Sequence, residues 1–286
     1  MTSTSPTLDE NSYFIDAESG AEMARLLHQD RLFTKGMGGL FAEQSDLSKI
    51  HRILDLACGP GGWVLDVAYT YPDKEVVGID ISHQMIEYAE AQARVQALHN
   101  ANFRVMDILK LFEFSENSFD LVNARLIGFI PTPAWIPLMQ ECRRITQPGG
   151  IIRLTETELS ISTSAALEHM QDIFARALKA AGQSFSPDGH RLAMSPMLEH
   201  FLGSIGCIHI QKRAHVINYS FGTDAHEAMY QNSIVAYKLM QPFLIDVKVT
   251  TPEEVEQVYQ QMMTEMLSED FHAEHLLFTA WGTVSK

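Results

Sequence analysis

Three cysteines in 286 residues, at positions 58, 142 and 207, are too few and too widely spaced for a disulfide framework. Cys142 and Cys207 fall in apolar or helical stretches, where a small buried thiol is the ordinary reading. Basic residues are also scarce: 21 lysines and arginines face 36 aspartates and glutamates, a formal net charge of -15. With no lysine and arginine cluster, little is available to displace counterions from a phosphate backbone, and nucleic acid is not expected as a partner. No run is long and apolar enough to span a bilayer. The opening Met1-Thr2-Ser3-Thr4-Ser5-Pro6 lacks the basic start and apolar centre of a secretion signal and reads as a frayed arm. These absences predict a cytoplasmic protein with no membrane partner; they leave the oligomeric state open.

What is present is concentrated in residues 53–64, Ile-Leu-Asp-Leu-Ala-Cys-Gly-Pro-Gly-Gly-Trp-Val, an apolar strand that runs into a glycine turn and opens a helix. Gly59 and Gly61 allow tight or left-handed backbone and the close approach of a ligand. Asp55 adds a carboxylate near the strand's carboxyl end, where ligands sit in open α/β sheets. A nicotinamide or flavin fingerprint starting at Gly59 requires a third glycine where Val64 stands, and fails. A plain strand-to-helix turn is the bland alternative at this point. Glu75–Ser82 is a second apolar strand ending in an acid, Asp80, placed to accept from ribose hydroxyls, with Ser82 as helix cap. Asn102–Met106 is a third strand, ending at Asp107 and Ile108. Phe119–Ala124 is a fourth, and Pro148-Gly149-Gly150 introduces a fifth over 151–154.

Over residues 50 to 157 the order and spacing of Asp55, Ala57, Gly59 and Gly61, then Asp80, Asp107 and the Pro-Gly-Gly turn, resemble the class I S-adenosylmethionine-dependent methyltransferases. The resemblance implies a doubly wound, Rossmann-like α/β fold with a seven-stranded, mostly parallel sheet. It implies S-adenosylmethionine as cofactor, with contacts at Asp55, Ala57, Cys58, Gly59, Gly61, Asp80, Ile81, Met85, Met106, Asp107, Ile108, Asn123, Ala124 and Arg125. In the family the acid matching Asp107 receives the adenine amino group. No metal site is expected: His272 and His275 around Glu274 lack a zinc spacing.

The domain division expected is an N-terminal arm and helical lid over 1–47, then a methyltransferase domain over 48–286 with helical cap insertions at about 160–200 and 223–270. Ser19 and Glu22 read as a capping box for a lid helix that breaks at Gly36–Gly39 after Phe33, with Tyr13, Arg31, Lys35 and Met37 as residues to watch. Ser164 opens a second helix, Ser195-Pro196 a third, and Asp224 with Glu227 and Thr251 with Glu254 read as two further boxes. Met262 and Met266 share a stripe with Val255 and Val258, either adaptable pocket lining or ordinary core.

The acceptor is the least legible part. Methyl transfer needs no protein nucleophile, so no residue is singled out as catalytic; Glu156, Glu158, His169, His190 and His226 are candidates for a general base. Asn123-Ala124-Arg125-Leu126 lacks the Pro-Pro-aromatic motif of nucleic-acid amino methylation, and no cysteine follows a proline as in cytosine carbon methylation. The expectation is methyl transfer to a small, largely apolar acceptor; a tRNA or protein methyltransferase and a non-catalytic binding protein are the alternatives.

Overall fold

The structure, a computed structural model, describes residues 13–16, 18–44 and 46–285. The arm at 1–6 lies outside the described residues. Its core is one sheet in which β1 (Arg52–Leu56), β2 (Glu75–Asp80), β3 (Ala101–Val105), β4 (Phe119–Arg125) and β5 (Thr146–Thr157) are parallel, in the order β3-β2-β1-β4-β5. β8 (Ala273–Val284) lies antiparallel to β5, and β7 (Cys207–Asn218) antiparallel to β8. A two-residue strand, β6 (Ile161–Ser162), also pairs with β8 and is an addition to the seven strands expected.

The near-continuous apolar runs of β1 and β4 follow from burial on both faces. Ile53, Val76 and Leu121 point to a layer made by α2 (Gly62–Thr70) and α3 (His83–Val95), where Trp63, Val67 and Ile86 meet them. Leu54, Val77 and Val122, one residue on, point to the other face, against α4 (Trp135–Ile145) and α6 (Met197–Ser204). There Trp135 stacks on Phe201 with ring centres 4.6 Å apart. The chain steps outward from β1 to β3 and returns beside β1 as β4, so the crevice between their carboxyl ends is the switch point of the sheet.

A third apolar cluster lies beyond that end. α1 (Gly20–Met37), α5 (Ala165–Ala180), α7 (His226–Asp246) and α8 (Pro252–Glu265) pack there with Ile217, Phe271 and Leu277. Two caps form as read, Ser82 accepting from Met85 N at 3.1 Å and Ser164 from Leu167 N at 3.0 Å; Thr251 accepts from Glu254 N at 3.2 Å, but the Glu254 carboxylate takes the Thr250 hydroxyl at 2.8 Å in place of closing the box.

Several expectations need correction. α1 runs on to Met37, because Gly36 is used for close packing: a Cβ there would lie 2.3 Å from Ile217. Ser19 accepts from Glu22 N at 3.5 Å, but Glu22 does not return the bond as a capping box; its carboxylate turns inward to Arg25 and Tyr13. α6 begins at Met197 with Pro196 in the cap position and no side-chain cap, and the Ser195 N–H donates to Glu158. α7 begins after Ala225 without a side-chain cap, so Asp224 and Glu227 form no box. The Pro-Gly-Gly turn is an irregularity inside β5, between the Phe119↔Thr146 and Leu121↔Ile151 pairings. α8 turns Val255, Val258 and Met262 into the apolar cluster and contributes nothing to the cavity described below, so the core reading of that stripe holds.

Candidate active site

The switch-point crevice is shaped by two non-glycine residues in left-handed backbone: Ala57 after β1 at φ 50° and Leu126 after β4 at φ 58°. Such conformations persist only where the surrounding fold enforces them, and they gather at functional sites. After Ala57 the chain turns at Gly59, φ 54°, where an added Cβ would meet only a Leu26 methyl at 3.6 Å, leaving the loop backbone approachable. The Asp80 carboxylate at the tip of β2 takes the Gly59 N–H at 2.8 Å and the Ser82 N–H at 2.9 Å, fixing the glycine loop to the neighbouring strand. Burial pushes the Asp80 carboxyl upward despite those donors. Gly61 plays another part: a Cβ there would strike the Phe103 ring at 2.7 Å and Ala89 at 2.8 Å, so it lets α2 close onto the sheet.

The crevice opens into a cavity of about 340 Å³ roofed by α1, α5 and α7. All three extra segments reach it: Tyr13 and Phe14 from the first, Phe174 and Met194 from the second, Met229 and Tyr237 from the third. α1 presents Glu22, Arg25, Leu26, Gln29, Asp30 and Phe33 inward at helical spacing; all but the deeper Glu22 touch the cavity. Arg31 and Lys35 lie on the opposite, exposed face, and Met37 is buried beneath the sheet's edge, near Thr279. Of the four residues to watch, Tyr13 alone lines the cavity.

Near the glycine loop Arg125 is paired with Asp30, donates to Thr34 at 3.2 Å and lies over the Trp63 ring at 5.5 Å. Arg125 Nε, Asp30 Oδ2 and Trp63 Nε1 are each buried without a hydrogen-bond partner. Three orphaned polar atoms around one turn are costly unless a bound group satisfies them. Deeper in α1, Arg25 binds Glu22 through Nε at 2.7 Å and Nη2 at 2.5 Å, and donates to Asn232 of α7 at 2.9 Å, joining lid to cap.

At the far end the wall is polar. Glu156 is buried, accepts from Ile127 N at 2.8 Å, and burial drives its carboxyl up to about 8. Glu158 accepts from Ala193 N at 3.2 Å and Ser195 N at 2.8 Å. Successive same-side acids at the end of β5 thus hold the two loops that flank the cavity. His275 stacks on Phe33 at 4.9 Å, with Nδ1 2.9 Å from Ser160 Oγ and Nε2 3.1 Å from Thr157 Oγ1; burial lowers its imidazolium to about 4. The remaining base candidates lie elsewhere. His169 sits beside Glu254, exposed His190 binds Asp172, and His226 bonds the Met266 carbonyl at 2.8 Å.

Of the residues expected to hold cofactor, Ala57, Cys58, Gly59, Asp80, Ile81, Met85, Asp107, Ile108 and Arg125 line the cavity. Asp55, Gly61, Met106, Asn123 and Ala124 are set back from its wall. Asp55 instead accepts from Asn123 Nδ2 at 2.7 Å, Asn123 accepts from Arg153 at 2.7 Å, and Arg153 pairs with Glu43, a buried chain across β1, β4 and β5. Burial raises Asp55 to about 7. Sequence reasoning missed Arg25, Asp30 and Tyr219 and weighed His275 only as a metal ligand; the inward spacing of α1 was the available signal for the first two.

Residues 53–150 match the family model described as "Methyltransferase domain". An uncharacterised methyltransferase of Schizosaccharomyces pombe is 30% identical over 134 residues, 44% of this chain and 47% of that one. A demethylmenaquinone methyltransferase of Lactococcus lactis is 35% identical over 106 residues, 37% of this chain and 41% of its own length. The chain thus spans less than half the length of these curated relatives. A solved phosphoethanolamine N-methyltransferase 2 of Haemonchus contortus, with S-adenosylmethionine, superposes with a TM-score of 0.58 at 17% identity, covering 94% of this chain and 57% of that one, a likeness of fold. With the glycine turn, the acid-tipped strands and the antiparallel β7–β8 pair in place, residues 53–150 are matched as a methyltransferase domain, within a sheet similar to that of the class I S-adenosylmethionine-dependent methyltransferases.

Proposed function

We propose that this protein transfers the methyl group of S-adenosylmethionine to a small, largely apolar acceptor held in the roofed cavity. The carrying observation is continuity: the glycine turn with Asp80 and Asp107 opens directly into a chamber lined by twelve methionine and aromatic residues against seven charged ones. A relative named a demethylmenaquinone methyltransferase supports a small-molecule acceptor.

The bound cofactor would supply an electrophilic methyl on sulfonium sulfur. Asp80, beyond its backbone donors Gly59, Ser82 and Ile81, keeps acceptor capacity toward the ribose hydroxyls. Asp107, whose Oδ1 takes the Leu109 N–H at 2.8 Å, and Ile108 frame the adenine side. The orphaned Arg125, Asp30 and Trp63 atoms fit a carboxylate and an ammonium, the two charges of the cofactor's amino-acid end. The aromatic roof excludes water and keeps donor and acceptor in line, which is the main contribution a protein makes to this displacement.

Calorimetric titration with S-adenosylhomocysteine tests this. Saturable one-to-one binding, weakened by Arg125→Ala, is expected; no binding at millimolar ligand would sink the reading.

A further inference from the structure

The charges on the cavity wall are lopsided. Two arginines reach it, and both are committed, Arg25 to Glu22 and Arg125 to Asp30. Among the described residues lining the cavity no lysine stands free to meet an anionic acceptor. Asp80 and Asp107 belong to the cofactor end, which leaves Glu156 and Glu158 at the acceptor end.

Glu156 accepts from the backbone N–H of Ile127, with that of Gly128 as a further donor, and its Oε2 lies where a Gly128 Cβ would be 3.0 Å away. The next residue, Phe129, begins a row of rings: Phe129 to Tyr13 at 4.8 Å, Tyr13 to Phe14 at 5.1 Å, Phe14 to Phe174 at 5.2 Å. A carboxylate pair beside aromatic faces, in an enclosed space, recognises an organic cation. The carboxylates supply charge-assisted acceptors and the ring faces a negative quadrupole.

We propose that the acceptor is a small amine with an apolar or aromatic body, bound as its ammonium between Glu156, Glu158 and this ring row, and that Glu156 takes the proton that frees its nitrogen. The inference rests on the methyl-transfer reading above. One N–H proton moves to a Glu156 carboxylate oxygen. The lone pair left on nitrogen forms the N–C bond as the methyl's C–S bond breaks, its electron pair remaining on sulfur. The products are the N-methylated ammonium, the neutral thioether and protonated Glu156, so charge and atoms balance. Above about pH 8 Glu156 is the carboxylate this step needs while the ammonium, about 10.4 for a lysine side chain, still holds its proton, so burial brings base and acid closer in strength than an ordinary carboxylate would. Glu158 adds the second negative charge and holds the 193–195 loop over the site.

The test, run at about pH 9 so that Glu156 is ionised, uses the full chain saturated with S-adenosylhomocysteine and three probes of one shape: phenethylamine, phenethyl alcohol and hydrocinnamate. The amine should bind about tenfold or more tightly than the alcohol, with the carboxylate weakest. Glu156→Gln should erase the amine preference while S-adenosylhomocysteine affinity stays. Alcohol or carboxylate binding as tightly as the amine, or no amine binding at millimolar concentration, overturns the proposal, as does an unchanged preference in Glu156→Gln. If that variant does not fold, the wild-type ranking and Glu158→Gln, expected to weaken the amine selectively, decide it. Failure of S-adenosylhomocysteine itself to bind is a separate result and removes the methyl-transfer reading instead.

Discussion

Neighbouring residues in the glycine loop carry different burdens. At Gly59 a side chain has room but would project where the cofactor must approach; at Gly61 it would collide with Phe103 and Ala89. Gly59→Val should therefore fold, at about 1–2 kcal/mol for its left-handed backbone, and lose S-adenosylhomocysteine binding, whereas Gly61→Val should fail to fold stably. Circular dichroism with calorimetry separates the two. Asp80→Ala should weaken cofactor binding by about 1.5–3 kcal/mol, since two charge-assisted contacts are lost; unchanged affinity would remove Asp80 from the site. Stability should also respond to pH through these buried groups. Glu156 and Asp55 rise from their ordinary values of 4.5 and 3.8 to about 8 and about 7, so the folded state holds more protons in that window. Their contribution is present below the ordinary carboxylate range and is lost as pH climbs to about 8. His275, lowered from 6.5 to about 4, works oppositely: its contribution is present above 6.5 and is lost as pH falls to about 4. Thermal unfolding from pH 6 to 9 should fall with pH, and less steeply in Glu156→Gln.

At the scale of elements, the strands and most helix starts were legible, because burial on both faces leaves unbroken apolar runs and because Ser82, Ser164 and Thr251 cap locally. The inward face of α1 was harder to read: Glu22, Arg25 and Asp30 are charged residues that face inward only because each finds a partner there. The Arg153–Glu43 pair is a similar case, with both side chains 1% exposed. Arg153→Met alone should cost about 3–5 kcal/mol by stranding Glu43, and Glu43→Leu added to it should restore much of that. Denaturant titration of the two singles and the double measures the coupling.

For the whole molecule, the lid is part of the core and not an appendage. Phe33 and Met37 are buried with Ile217 and Leu277, and the pairing of Glu43 with Arg153 fixes the segment after α1 against the sheet. Among the described residues the segment before 40 supplies no strand of the sheet, yet it helps to cover it. Removing residues 1–40 should abolish methyl transfer and also lower the unfolding temperature, because uncovering Phe33 and Met37 alone costs about 1.5–3 kcal/mol each. Turnover that survives the truncation would refute the roofed site and favour a macromolecular acceptor.

The sequence by itself determined the parallel sheet and its switch point, with the glycine turn and acid-tipped strands that meet there, because those depend on short-range features: apolar runs, a glycine turn and acids at strand tips. Only tertiary structure brought together the residues proposed for the acceptor end. Glu156, Glu158 and Tyr13 stood in the sequence among several candidates that packing sends elsewhere, and Phe129 and His275 join them from segments far apart in the chain. Likewise, nothing local distinguishes the methionines of α7 that line the cavity from Met262 of α8 in the apolar cluster. Which face of a helix meets a cavity and which meets another helix is settled by packing, and periodicity reports only that a face is buried.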